Sequence, residues 1–461
     1  MSKSFTALHD YFDIIKLQAT LLADGTLSES AVREKASMFR SCAAKLIGQD
    51  TNPQAEAYGF FVPGRIEVLG KHTDYAGGRS IVAGAEQGFC FVASPRDDTV
   101  LHITDAGNGE RISFSLDPEL SPQLGHWSNY PQTVSRRVSR NFSGPLRGAD
   151  IAFGSDLPGA AGMSSSSAMM VGFFLILAKV NQLEQREIYR ENIQNNEELA
   201  EYLGTVENGQ SFKGLTGDKG VGTFGGSEDH TAILCSKSNQ LRQYSYCPVR
   251  FEKTITAPKE YIFAIASSGV AAEKTDAALE KYNRASRLVA QIISVWQNAT
   301  GSTATNLAAL VDQTDMEYAD IIRLLESCEG TDFSPKELVR RFAHFYQENY
   351  KIIPQAVAAL EAEDIEQFGR QVDLSQLLAQ DFLGNQIEET VFLARAAREL
   401  GAAAASAFGA GFGGSVWAMV REIEVDGFLP QWERKYKGKF SSGAEHARFF
   451  VTRAGPAAFP I

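Results

Sequence analysis

Asp156-Leu-Pro-Gly-Ala-Ala-Gly-Met-Ser-Ser-Ser-Ser-Ala168 runs directly into an apolar helical stretch, Met169 to Val180. A hydroxyl-rich loop therefore feeds a helix N-terminus. Gly159 and Gly162 let the backbone turn tightly and approach a ligand without a Cβ in the way. The unpaired N–H groups of the first helical turn point into the loop, and the helix dipole favours an anion there. The serines add donors for phosphate oxygens and an oxygen ligand for Mg²⁺. A single serine in this place would read as an ordinary helix cap. Four of them behind two glycines favour phosphate.

Working outward, 461 residues with 44% hydrophobic content suffice for a large core and predict two domains. A net charge of −12 argues against general binding to nucleic acid or to an anionic membrane. Five widely spaced cysteines without a C-x-x-C pair suit a reducing compartment rather than a disulfide framework or a zinc site. The first residues carry no apolar signal region, and Val171 to Val180 is too short to span a bilayer. A soluble, cytoplasmic protein is expected.

Helical spacing runs over 5–48, broken at Gly25-Thr-Leu-Ser28. Strands are predicted at Phe60–Val62, through Ile66 and Val68, at Phe89–Val92, Val100–Thr104, Arg111–Leu116, Asp150–Phe153 and Tyr261–Ala266. Helices are predicted over 127–140, 276–298, 304–326, 335–351, 354–371 and 384–400, and a last strand over Ser415–Val420. This order reads as α+β, with two domains and a ligand between them.

Three further segments carry chemistry. Pro63-Gly-Arg-Ile-Glu-Val-Leu-Gly-Lys-His-Thr-Asp-Tyr-Ala-Gly-Gly78 ends a strand on a turn bearing His72, Asp74 and Tyr75. Those side chains either bind the hydroxyls of a small polyol or sugar or simply form a solvated turn; alone, the two readings are even. Ser227-Glu-Asp-His230 follows the glycine-dense loop Gly214–Gly226 and offers a carboxylate to a hydroxyl during phosphoryl transfer, though a lone loop aspartate is more often a cap. Gly409-Ala-Gly-Phe-Gly-Gly414 is a second close-packing loop. The chain holds no P-loop, protein-kinase His-Arg-Asp set or G-x-S-x-G elbow.

The turn at 63–78, the serine loop and the 409–414 loop, in that order, resemble the three signature motifs of the GHMP small-molecule kinases. More closely they are similar to those of galactokinases, whose first motif runs Gly-Arg-Val-Asn-Leu-Ile-Gly-Glu-His-Thr-Asp-Tyr. Ser94-Pro-Arg96, Trp127-Ser-Asn-Tyr130 and Lys281-Tyr-Asn-Arg-Ala-Ser286 also match galactokinase segments, so the resemblance runs from Tyr58 to Val420. It implies a two-domain α+β fold, with an N-terminal domain like domain 2 of ribosomal protein S5 (1–247) and a ferredoxin-like C-terminal domain (248–461), the active site lying between them. It also implies an ATP- and Mg²⁺-dependent kinase that phosphorylates the anomeric hydroxyl of galactose or a similar sugar and works as a monomer.

Position by position, Asp229 would be the catalytic carboxylate, with Arg65 beside it. Ser165 and Glu207 would hold Mg²⁺, and Gly162, Ser164, Ser165 and Ser166 would cradle the ATP phosphates. Trp127 would lie near the adenine. Lys71, His72, Asp74 and Tyr282 would meet the sugar, and Gly411 and Gly413 would shape the cleft.

The chain departs from the galactokinase pattern at Lys71, where the family has a Glu that contacts the sugar's terminal hydroxymethyl group. Lys71 either pairs with an anionic substituent, such as a uronic acid carboxylate, or turns to solvent or to a neutral hydroxyl; the second reading is preferred. The third motif begins Ala407-Phe408 in place of Met-Thr-Gly, and Gly-Gly-Ser-Glu228 replaces Cys-Gly-Ile-Met. Rival readings are a kinase for another monosaccharide, such as a uronic acid or arabinose, and a non-catalytic sugar sensor. Retention of Arg65, Asp229, Glu207 and the serine run argues against the sensor.

Overall fold

The computed structural model describes residues 5–25, 27–123, 125–159, 162–270, 276–440 and 444–461. Ala160 and Ala161 of the serine loop lie outside the described residues.

The chain begins with helices α1 (Ile14–Gly25) and α2 (Glu29–Ile47). Strands β1 (Tyr58–Leu69), β2 (Arg79–Pro95), β3 (Val100–Asp105) and β4 (Arg111–Ser115) follow, then helix α3 (Asn129–Asn141), strand β5 (Ala149–Ser155) and helix α4 (Ser165–Val180). Next come α5 (Glu187–Asn192), α6 (Asn196–Asn208), α7 (Glu228–Cys235), the hairpin β6 (Gln240–Ser245) and β7 (Arg250–Thr256), and β8 (Tyr261–Ser267). A helical stretch comprises α8 (Asp276–Thr300), α9 (Leu307–Asp312), α10 (Tyr318–Glu326), α11 (Pro335–Gln347), α12 (Ile353–Glu361), α13 (Ile365–Leu378) and α14 (Glu388–Glu399). The chain closes with β9 (Ala404–Phe408), β10 (Ser415–Arg421), α15 (Val425–Lys439), β11 (Arg448–Thr452) and β12 (Phe459–Pro460).

Among the described residues the strands form two sheets. The larger has the order β12-β1-β2-β5-β3-β4, with the β6–β7 hairpin attached to β2. Its central strands β1 and β2 are buried on both faces, which is why they read as almost continuous apolar runs. Val62, Ile66 and Val68 point into the core with α3, α4, α6 and α7, where Met170, Phe173 and Leu203 pack. Phe61, Cys90 and Val92 point the other way, against Tyr11, Phe39 and Leu46 of the N-terminal helical segment. Each such side chain taken from water contributes roughly 1.5–3 kcal/mol.

The second sheet has the antiparallel order β11-β8-β10-β9. Counted along the chain this is fourth-first-third-second, with α15 between the third and fourth strands, and α14 and α15 cover one face through Leu393, Trp432 and Tyr436. That is the ferredoxin-like arrangement expected of the second domain, and the molecule is α+β. The division expected at 247/248 falls in the turn of the β6–β7 hairpin, both strands of which belong to the larger sheet. Strand β12 also pairs with β1, as Phe60↔Pro460.

Two of the expected helices are interrupted. The stretch 304–326 divides into α9 and α10, with Asp320 accepting the Glu317 N–H at 3.2 Å to start the second helix. The stretch 354–371 divides where Asp364 caps α13 by accepting the Gln367 N–H at 2.9 Å. No described helix is long and apolar enough to cross a membrane.

Candidate active site

Strand β1 is irregular where the chemistry begins. Its register against β2 shifts between Pro63 and Arg65 and again between Glu67 and Leu69. Bulges of this kind re-aim side chains, and they bracket the two charged residues of the strand. Strand alternation sends Ile66 and Val68 into the core and Arg65 and Glu67 to the opposite side, where both line a cavity of about 70 Å³.

Asp229 meets Arg65 there from the first turn of α7. Arg65 Nε and Nη2 lie 2.7 and 2.6 Å from Asp229 Oδ1, while Nη1 donates to the carbonyl of Gly162 at 3.0 Å. One guanidinium thus joins the serine loop to the carboxylate. Burial alone would lower the Arg65 pKa, but Asp229, Glu67 and Glu228 outweigh it and raise it, so the charge is permanent.

Glu228 precedes Asp229 and faces the same cavity as Glu67. Both are buried, and desolvation raises both pKa values, that of Glu228 well above the carboxylate range because Glu67 and Asp74 add repulsion.

The turn after β1 supplies the next wall. His72 has the uncommon left-handed φ of 56°. Its Nε2 lies 3.1 Å from the Ala410 carbonyl and its Nδ1 lies 2.9 Å from the Tyr75 hydroxyl. A carbonyl only accepts, so Nε2 carries the proton and Nδ1 accepts from Tyr75. Burial, aided by the charge of Arg341, lowers the His72 pKa to about 4 and keeps the ring neutral. Asp74 Oδ2 accepts the Glu228 N–H at 3.2 Å, and desolvation raises its pKa to about 6 against that bond. Tyr282 packs on His72, ring centroids 5.5 Å apart, and burial beside Asp74 and Asp229 keeps it protonated. Lys71 does not join them. Its side chain is buried, it is not among the lining residues, and its Nζ donates to Ser375 Oγ at 3.0 Å.

At the start of α4, Ser164 is left-handed with φ 58°, and its buried Oγ has no hydrogen-bond partner among the described residues. An orphan hydroxyl at a helix start is a donor awaiting an anion, which fits a phosphate. Gly162 (φ +72°) touches the third loop: a Cβ on Gly409 (φ +80°) would lie 2.7 Å from the Gly162 carbonyl oxygen. The third loop also brings Gly409 and Ala410 to the cavity, whereas Gly411 and Gly413 lie outside its lining.

Ser167 Oγ donates to Glu207 Oε2 at 2.8 Å, and His230 Nε2 lies 3.3 Å from the same oxygen. Ser165 starts the helix but makes no such contact with Glu207 in this structure. A single carboxylate with serine hydroxyls suits Mg²⁺ held jointly with phosphate oxygens. Among the described residues no three His, Cys, Asp or Glu form a metal cage. Trp127 stands apart from the cavity, edge-on to Phe153 at 5.4 Å, beside the strand that feeds the serine loop.

Comparison with known proteins follows the same segments. The galactokinase galactose-binding signature matches residues 49–95, the GHMP kinases N terminal domain 129–216 and the GHMP kinases C terminal domain 356–438. In these segments the chain is similar to the GHMP kinases. It is 26% identical to a galactokinase of Fusobacterium nucleatum, over 87% of this chain and 94% of the relative. It is 28% identical to one of Clostridium acetobutylicum, over 86% and 92%. The structure of Lactococcus lactis galactokinase complexed with galactose superposes with a TM-score of 0.69 at 22% identity, covering 87% of this chain and 95% of that one. The Methanococcus jannaschii mevalonate kinase shares the GHMP fold at a TM-score of 0.51 and 15% identity, over 87% and 99%.

Arg65, His72, Asp74, Glu207, Asp229 and Tyr282 therefore converge on one cavity, with Gly162 bonded to it through Arg65. Tyr75, singled out on the same turn, also lines the cavity; sequence reasoning missed Glu67 and Glu228 as cavity residues, Ser167 as the partner of Glu207, and Arg341 behind His72. Glu67 was open to detection: two residues from Arg65 on one strand, it must share that residue's face.

Proposed function

We propose that this protein is a galactokinase of the GHMP kinase family, transferring the γ-phosphoryl group of ATP to the anomeric hydroxyl of galactose. The observation that carries this reading is the Arg65–Asp229 pair, joined through Gly162 to the serine loop. In this reading Ser164, Ser165, Ser166 and the first turn of α4 bind the phosphates, and Trp127 borders the adenine. Asp74, His72 and Tyr282 orient the sugar so that its anomeric hydroxyl faces Asp229.

Phosphoryl transfer through a loose transition state depends chiefly on alignment and charge stabilisation. An aspartate held by two arginine N–H groups is a weak base. Asp229 therefore orients the hydroxyl and takes its proton late, while Arg65 faces the transferring group. Glu207 and Ser165 would hold Mg²⁺, which supplies neutralisation of phosphate charge. The protein is read as a cytoplasmic monomer acting on small molecules, without nucleic acid or membrane. The two domains divide with the sheets, so the β6–β7 hairpin and β12 go with the first.

The test is coupled ADP release from purified protein with ATP, Mg²⁺ and a panel of hexoses, pentoses and uronic acids. Saturable release with galactose is expected. No sugar-dependent release anywhere in the panel would overturn the reading.

A further inference from the structure

Lys71 is 1% exposed, yet it is not among the residues lining the cavity, to which His72, Asp74 and Tyr75 of the same turn contribute. Its ammonium donates to Ser375 Oγ at 3.0 Å, and Ser375 Oγ donates to Glu348 Oε1 at 3.0 Å. The same carboxylate oxygen accepts the N–H of Gly70 at 2.9 Å. The three contacts close a ring through the backbone at the first residue of the turn. Adjacent contacts continue it: Asn349 Oδ1 accepts the Arg79 N–H at 2.8 Å, and Arg341 Nη2 donates to the His72 carbonyl at 2.6 Å. Glu348 and Asn349 sit in a five-residue π-helical turn, Glu348–Ile352, between α11 and α12. The wider turn presents two consecutive side chains to the sugar turn, a use typical of π-bulges.

The cavity holds the complementary half of the argument. Glu67, Asp74, Glu207, Glu228 and Asp229 line it, and among its lining residues the one guanidinium, that of Arg65, is engaged by Asp229. A sugar carboxylate placed there would stand beside Asp229 and among buried carboxyl groups that already resist ionisation. The Lys71 ammonium donates to Ser375 and is not among the lining groups.

We propose that Lys71 is a positioning residue that ties the sugar turn to the helices of the second domain through Ser375 and Glu348, so that the cavity selects neutral monosaccharides and rejects uronic acids. The proposal rests on the kinase reading above for its substrate arm and on the hydrogen-bond ring alone for its tether arm.

The test compares the wild type with Lys71→Met, Ser375→Ala and the double variant. Galactose and galacturonate are the acceptors, and amide hydrogen exchange is followed over residues 70–79. Galacturonate should have a kcat/KM about a hundredfold or more below that of galactose. Each single variant should raise the sugar KM about tenfold, with the ATP KM nearly unchanged, and the double variant should be no worse than Lys71→Met. Exchange at 70–79 should quicken in all three. Galacturonate used as well as galactose, or a fall in its relative use on Lys71→Met, would overturn the specificity arm. Additive effects or unchanged exchange would overturn the tether. If the wild type turned over no sugar, the kinase reading would fall, and exchange would still decide the tether. Ser375→Ala, which deletes one hydroxyl, keeps the test open should Lys71→Met fail to fold.

Discussion

Arg65 Nη2 and Nε both reach a single oxygen of Asp229, at 2.6 and 2.7 Å, and Ser167 Oγ lies 3.5 Å from the other oxygen. One oxygen of the carboxylate is thus anchored by charge while its partner keeps a neutral contact. Replacing Asp229 with Asn preserves the shape and removes both the proton acceptor and the charge that holds Arg65. Turnover in the ADP-release assay should fall roughly 10²–10⁴-fold, while titration calorimetry should find ATP binding intact. Activity within tenfold of wild type would remove Asp229 from the chemistry.

Asp74 gives the enzyme a pH limit. Its pKa is raised to about 6 by desolvation, and the ionised form is the stronger acceptor for a sugar hydroxyl. The galactose KM should therefore rise roughly tenfold per unit as pH falls below about 6, with the ATP KM flat. The stability effect runs the other way. The folded pKa lies above the ordinary aspartate value of 3.8, so between that value and about 6 the folded chain holds the extra proton. This carboxyl consequently lowers stability as pH rises through that window. Asp74→Asn should abolish the pH dependence of KM in the same titration.

Gly409 and Gly162 stack backbone on backbone. Gly409 needs φ +80°, and a Cβ there would lie 2.7 Å from the Gly162 carbonyl oxygen. Gly409→Ala should cost about 1–3 kcal/mol of stability in chemical denaturation and raise the ATP KM, because the displaced atom belongs to the serine loop. An unchanged ATP KM would show that the two loops move independently.

Lys35 of α2 is fully buried and pairs with Asp156, the first residue of the serine loop. Asp156 Oδ1 also accepts the Gly88 N–H at 2.8 Å. Lys35→Met would leave that carboxylate without its cation, and a loss of about 3 kcal/mol in urea denaturation is expected. A loss below about 1 kcal/mol would mean that water already satisfies Asp156.

The sequence made the serine loop, the sugar turn and their order legible because each is a local pattern: glycines, hydroxyls and a change from strand to helix period. Asp229 was harder, since α7 has only eight residues and too few turns to display a periodicity, so it read as a loop position. Lys71 illustrates what local pattern cannot carry. The direction of its side chain is decided by Glu348 and Ser375, some three hundred residues away in the chain, and neither solvent nor sugar receives it. The choice of Ser167 over Ser165 as the partner of Glu207 likewise depends on which face of α4 meets α6. The β6–β7 hairpin lies across the division that the resemblance implied, because strand pairing with β2 is a tertiary fact.

Residues 454–461 return from the second domain to brace the first: Gly455 N–H bonds to Gly84 O at 2.7 Å, directly behind the Arg65↔Gly84 pair, and β12 zips along β1. The strand that carries Arg65 is therefore made early on the ribosome and completed late. Until the entire second domain has emerged, β1 remains an open sheet edge, exposed to wrong partners and to chaperones. Arg65 thus stands on a strand whose pairing the last residues of the chain help to complete.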